Sequence, residues 1–134
     1  MTNISEGHRF EREFCETLGK HGWWVHNMVM SQAGQPADVI AVKGSEMALI
    51  DCKVLSSLGR GFPLSRIEDN QHTAMQMFAE RTAGAGWFAI KTWSGQVFMV
   101  RYAQMVQCLR EGMKTIPQAD LSKYGMLLER WLDS

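Results

Sequence analysis

Two aspartates and a lysine are the residues whose types and spacing could do chemistry in this sequence. Asp38–Lys43 and Glu46–Lys53 read as two strands joined by the two-residue turn Gly44-Ser45. Pairing Lys43 with Glu46 across that turn sets Asp38 opposite Asp51. Facing residues of an antiparallel pair share one face, with Cβ atoms roughly 4.5–5.5 Å apart. Lys53 follows Asp51 by two positions and so projects from the same face. The rest of that face is Ile40, Val42, Met47 and Leu49, which is core-like. Facing like charges repel, and a divalent cation between them removes the repulsion. Few, hard oxygen ligands with room for water and phosphate suit Mg²⁺, with Mn²⁺ able to substitute. The competing reading is structural: one aspartate caps a turn and the other pairs with Lys53.

The elements that must position these groups are legible on either side. Residues 7–21 predict a helix, with Phe10, Phe14 and Leu18 on one stripe and Gly22 as its stop. Glu11 stands three before Phe14 and seven before Leu18, on the buried side of that helix. Trp23–Met28 predicts a strand and 29–37 a loop. Residues 54–66 predict a flexible loop carrying Arg60 and Arg66. The helix expected over 68–81, with Ser65 or Asp69 as cap, sets Gln71 in the same relation to Ala74, Met75 and Phe78. A second hairpin follows over 86–92 and 96–101, then helices near 102–112 and 119–132. The last of these carries Leu121, Tyr124, Leu128 and Trp131 on one face. The order is α-β-β-β-α-β-β-α-α, an α/β (α+β) chain with a mixed sheet flanked by helices, expected to form a single domain over 1–134.

Pro36-Ala37-Asp38 followed by Asp51-Cys52-Lys53 resembles the PD-(D/E)XK nuclease superfamily. Within it, the chain resembles Holliday-junction resolvases of the RecU and Hjc type. The likeness begins at Gly7-His8-Arg9-Phe10-Glu11, runs through His21-Gly22-Trp23, and extends over Ile67-Glu68-Asp69-Asn70-Gln71 to Trp87–Lys91. The second acid is Asp51 where these families usually carry Glu. The short segment before Asp38 leaves little room for a protruding stalk. The resemblance implies a restriction-endonuclease-like core and a Mg²⁺-dependent, structure-selective DNA endonuclease that cuts four-way junctions by paired nicks. It implies that Asp38, Asp51 and the Cys52 backbone carbonyl hold the metal, with Glu11 binding directly or through water. Lys53 would orient water or stabilise the transition state, and Gln71 would position water or a phosphate. Ligatable 5′-phosphate and 3′-hydroxyl ends are the implied products. The alternatives are a related nuclease acting on flaps, nicked duplex or a specific sequence, and a non-catalytic DNA-binding protein retaining the fold.

Composition sets outer bounds. The 134 residues are 46% hydrophobic and 21% charged, an ordinary globular balance. Fourteen basic and fourteen acidic residues cancel, so DNA binding must come from local clusters and not net charge. Arg9 and Arg12 flank Glu11, and together with Arg60 and Arg66 they are the candidate phosphate contacts. His8, His21, His26 and His72 lack metal-ligand spacing. The five tryptophans and ten methionines read as core or dimer surface rather than base-stacking platforms. Three scattered cysteines argue against a disulfide framework or zinc site. No apolar run approaches a membrane span, and the polar start is not that of a signal peptide. A cytoplasmic protein of a bacterial or phage recombination system is expected. One acid set per chain and two nicks per junction call for a homodimer. The apolar residues around Met28, Met30 and the C-terminal helix exceed what one small core needs.

Overall fold

A computed structural model describes residues 3–28, 37–57 and 59–134. The expected loop over 29–37 therefore lies, but for Ala37, outside the described residues, as do Met30 and Pro36. Helix α1 (Asn3–Lys20) leads into β1 (Trp24–Asn27), β2 (Val39–Lys43) and β3 (Glu46–Val54). Then come β4 (Phe62–Pro63), a 3₁₀ turn (Leu64–Arg66), α2 (Asp69–Arg81), β5 (Ala85–Lys91) and β6 (Val97–Arg101). The chain closes with α3 (Tyr102–Arg110), β7 (Thr115–Ile116), α4 (Leu121–Tyr124), β8 (Met126–Leu127) and α5 (Leu128–Asp133). Six strands form one mixed sheet in the order β1-β2-β3-β5-β6-β8. Only β3 and β5 run parallel, and α2 makes the crossover that a parallel pair requires.

Both faces of the sheet are covered, which explains why β3 reads as a run of buried residues at Ala48, Leu49 and Ile50. On one face, Phe10, Phe14 and Leu18 of α1 pack with Val39, Ala41, Ile50 and Met99, and α5 adds Leu128, Trp131 and Leu132. The C-terminal helix is thus absorbed by the core, not left over for an interface. On the other face, Met75 of α2 and Met105 and Cys108 of α3 meet Leu49, Phe88, Ile90 and Val100. A Cβ at Gly86 would overlap the Met75 sulfur, so α2 lies flush on β5 only because glycine stands there. His72 serves packing, its ring hydrogen-bonded to the Tyr102 hydroxyl at 2.9 Å.

Two segments differ from the expected layout. The span after β3 is not a free loop. Phe62 and Leu64 are buried, and Phe62–Pro63 pairs antiparallel with Thr115–Ile116 in a separate two-stranded sheet. The helix expected over 119–132 is also divided. A Cβ at Gly125 would stand 2.5 Å from the Met99 carbonyl oxygen. The chain passes directly against β6 there and adds β8 as the edge strand. Helix α2 starts one residue late, with Glu68 as N-cap in place of Ser65 or Asp69. No helix among the described residues is long and apolar enough to cross a membrane.

Candidate active site

The β2–β3 hairpin has the expected register. Lys43 pairs with Glu46, and the ladder continues to Val39 and Ile50. Gly44 takes φ 59°, a conformation open to glycine without steric cost. One pair further on, the ladder gives way. The Asp38 N–H donates to the Ile50 carbonyl at 3.0 Å, and the Asp38 carbonyl accepts from the Met28 N–H at 2.8 Å. Where the next ladder bond would fall, Asp38 Oδ2 accepts the Cys52 N–H at 2.8 Å. The backbone thus fixes Asp38 at the sheet end where Asp51 emerges.

Asp51 is 2% exposed. Its Oδ1 accepts a hydrogen bond from Gln71 Nε2 at 3.0 Å, and Lys53 Nζ lies 3.0 Å from Oδ2. That second contact is ionic and poorly directed: Oδ2 is buried and accepts no hydrogen bond among the described residues. Lys53 also donates to the Arg66 carbonyl at 3.3 Å. Gln71 is itself 5% exposed, and its Oε1 accepts the Glu68 N–H at 3.1 Å. Glu11 reaches across from α1. Burial, a hydrogen bond to Asp38 and the charges of Asp38 and Asp51 push its carboxyl up to about 8. Burial and the Asp38 charge push Asp51 up to about 7, against the opposing pull of Lys53. Glu11, Asp38, Asp51, Lys53 and Gln71 therefore converge from α1, from the residue before β2, and from β3 and α2.

The donor set fits a hard cation. Burial and the neighbouring carboxylates raise Cys15 to about 11 and raise Cys52 as well, so neither offers a thiolate to a soft metal. No three His, Cys, Asp or Glu side chains among the described residues form a finished cage. A cluster in which the Asp38 charge raises the pKa of both Glu11 and Asp51 suits an ion that keeps several waters and takes one or two protein carboxylates. Asp38, Asp51 and the Cys52 carbonyl can supply that many ligands.

The candidate arginines divide. Arg60 and Arg66 line a cleft of about 480 Å³ together with Cys52, Val54 and Pro63. The Arg66 guanidinium donates to the Val54 carbonyl at 3.1 Å and lies 5.8 Å from the Phe62 ring. Arg9 lines an adjoining groove, whereas Arg12 is exposed on α1 and lines neither. Sequence reasoning missed Gln118. Its amide nitrogen donates to the carbonyls of Ser57 (2.9 Å) and Arg60, and its oxygen accepts the Trp93 N–H at 3.0 Å. A lone glutamine some sixty residues from Ser57 and Arg60 and 25 from Trp93 carries no periodic signal that could have found it.

Comparison with known proteins gives a consistent assignment. The family model described as archaeal Holliday junction resolvase, Hjc, matches residues 2–124. Among solved structures, Archaeoglobus fulgidus Hjc, a Holliday junction resolvase from an archaeal hyperthermophile, is similar with a TM-score of 0.68 and 19% identity. The alignment covers 94% of this chain and 99% of that one, and at this identity it speaks for the fold. No curated protein sequence matches.

Proposed function

Because the chain belongs to the Hjc family of archaeal Holliday junction resolvases, we propose that it is a metal-dependent, structure-selective endonuclease that resolves four-way DNA junctions. The observation that carries the reading is the buried Asp51, held by Gln71 at Oδ1 and by Lys53 at Oδ2, with the carboxylates of Asp38 and Glu11 gathered beside it. In this reading Asp38, Asp51 and the Cys52 carbonyl hold Mg²⁺ or Mn²⁺, and Glu11 supports them directly or through water. When bound, such a cation polarises a phosphoryl oxygen and makes water a nucleophile near neutral pH. Lys53 presents its positive charge where the phosphate gains negative charge in the transition state. Gln71 fixes the Asp51 carboxylate, and Arg60, Arg66 and Arg9 bind phosphates along the cleft. Arg12 is retained as an outer contact.

Resolution needs two nicks in opposed strands, and one acid set per chain supports a C₂ homodimer matching the symmetry of the junction. Sedimentation should then report about 30 kDa, twice the chain mass of 15.2 kDa. The deciding experiment is cleavage of four-way, flap and linear DNA with Mg²⁺, Mn²⁺ and excess EDTA. Wild-type protein should cut the four-way substrate symmetrically, and Asp38→Asn and Asp51→Asn should bind it without cutting. Cleavage in EDTA, or equal cutting of all three substrates, overturns the reading. A protein that stays monomeric on junction DNA and makes single nicks is a flap or nick nuclease instead.

A further inference from the structure

The five tryptophans do not share one environment. Trp23 stacks on Trp131 at 4.9 Å between ring centroids, and the partly buried Trp87 meets Trp131 edge-on against the same core. Trp24 and Trp93 remain 63% and 54% exposed. A single exposed apolar side chain needs no explanation by itself. What distinguishes Trp93 is where it stands and what holds it there.

Trp93 lies two residues beyond Lys91, the register partner of Val54, at the end of the sheet where the acids emerge. It lines a groove of about 280 Å³ with Arg9, Lys91, Val54 and Glu6. That groove shares Val54 and Glu6 with the cleft of Cys52, Arg60 and Arg66. Ala89 is the partner of Cys52. At about 3.3 Å per residue along a strand, Trp93 stands at most about 13 Å past the level of Cys52 and about 17 Å past that of Asp51, the partner of Phe88. The hairpin tip is braced, since the Trp93 N–H donates to Gln118, which also holds the Arg60 carbonyl. Two cations, Arg9 and Lys91, and one acid, Glu6, line the same groove as the indole, Lys91 being 4.0 Å from Glu13. Trp24 is the opposite case. It pairs with Val42 near the hairpin turn, at the other end of the sheet, and its ring stacks beside His26.

We propose that Trp93 is a base-stacking residue that receives a nucleobase at the branch point of the DNA substrate, a specificity role resting on the junction-nuclease reading above. Inside a duplex both faces of each base are covered by neighbours, so a fixed indole finds no partner there. A base at an open crossover or a gap has lost a neighbour and offers a face. Stacking on an aromatic ring tolerates any base, which suits an enzyme that reads branch shape. The arginines and Lys91 hold the backbone leading to it, so the indole measures the distance between branch point and cut.

The test measures wild-type, Trp93→Ala, Trp93→Phe and Trp24→Ala proteins on three DNAs: a four-way junction, a duplex with a one-nucleotide gap, and an intact duplex. 2-Aminopurine at the branch point or gap reports stacking by quenching, and thermal melting checks each fold. Trp93→Ala should bind junction and gapped DNA about tenfold more weakly, the loss of one base stack, with intact-duplex binding unchanged and quenching abolished. Trp93→Phe should keep most of both, and Trp24→Ala should match wild type. Unchanged junction binding and quenching in Trp93→Ala overturns the inference. So does an equal loss on all three DNAs, or a change confined to oligomeric mass, which would assign the ring to a protein interface. If wild type does not prefer the junction yet quenches 2-aminopurine in the gap through Trp93, the stacking role stands and the resolvase reading falls.

Discussion

Gln71 holds Asp51 and the start of its own helix with the same amide group. Its Nε2 lies 3.0 Å from Asp51 Oδ1 while its Oε1 accepts the Glu68 N–H at 3.1 Å. The helix N-terminus orients the glutamine, and the glutamine orients the carboxylate. This bond favours the ionised acid, so its loss should raise the Asp51 pKa further. Gln71→Ala is expected to cut activity at pH 7 by about tenfold, with partial recovery at pH 9. It should also cost roughly 1–3 kcal/mol of stability by stranding a buried acceptor. A pH–rate profile beside a denaturant melt separates the two effects.

Metal-free stability should fall as pH rises. Glu11 and Asp51 sit at about 8 and about 7 in the folded protein, whereas free carboxylates titrate near 4. Between about pH 4 and pH 8 the unfolded chain has released protons that the folded chain retains. The folded state therefore binds more protons across that window and loses stability as they leave. Glu11 is only half-buried, so its share is screened. A drop in Tm of roughly 5 °C between pH 5 and pH 8 in EDTA is expected. Asp51→Asn should flatten the slope, and saturating Mg²⁺ should restore most of the loss at pH 8. Scanning calorimetry across this range checks all three.

Lys53 and the acids should separate in a single-turnover experiment. Lys53→Met removes the cation 3.0 Å from Asp51 Oδ2 but no oxygen ligand. Cleavage should fall by about 10²–10³-fold, while Mg²⁺ binding by calorimetry stays equal or tightens. Loss of metal binding in this variant would place Lys53 in the structural support of the site.

The arginine cleft should register in salt dependence. Arg60→Ala and Arg66→Ala should each weaken junction binding and shallow the plot of log K against log salt by about one unit, as one phosphate contact is lost. Gln118→Ala should weaken binding less and leave the slope unchanged, because it disorders the Arg60 loop without removing a charge. An unaltered slope in both arginine variants would put the cleft away from DNA.

The acids were legible because a two-residue turn fixes register, and register fixes which side chains share a face. Glu11 and Gln71 were legible because each sits beside a helical stripe whose buried side is set by larger neighbours. The loop anchor was not. Two-residue strands such as Phe62–Pro63 and Thr115–Ile116 have no period to detect and lie some fifty residues apart. The division at Gly125 was hidden because Leu121, Leu128 and Trp131 keep helical spacing across it, and the Met99 carbonyl that forbids a side chain belongs to another strand. Composition likewise could not sort five tryptophans into three that build the core and two that do not.

The missing side chain at Gly86 reaches further than packing. Helix α2 rests on β5 at the height that Met75 permits over a bare backbone, and Gln71 is one turn earlier on the same helix. The amide that steadies Asp51 is therefore suspended from a spacer whose thickness is set at Gly86, a residue outside the acid cluster. A methyl group there would lift the helix by a fraction of an ångström, stretch the bond to Asp51 and weaken the acid without touching it. The tolerance of the Asp51 carboxylate to change is thus machined into the sheet beneath the helix. Gly86→Ala should look like a mild Gln71 defect before it looks like an unfolded protein.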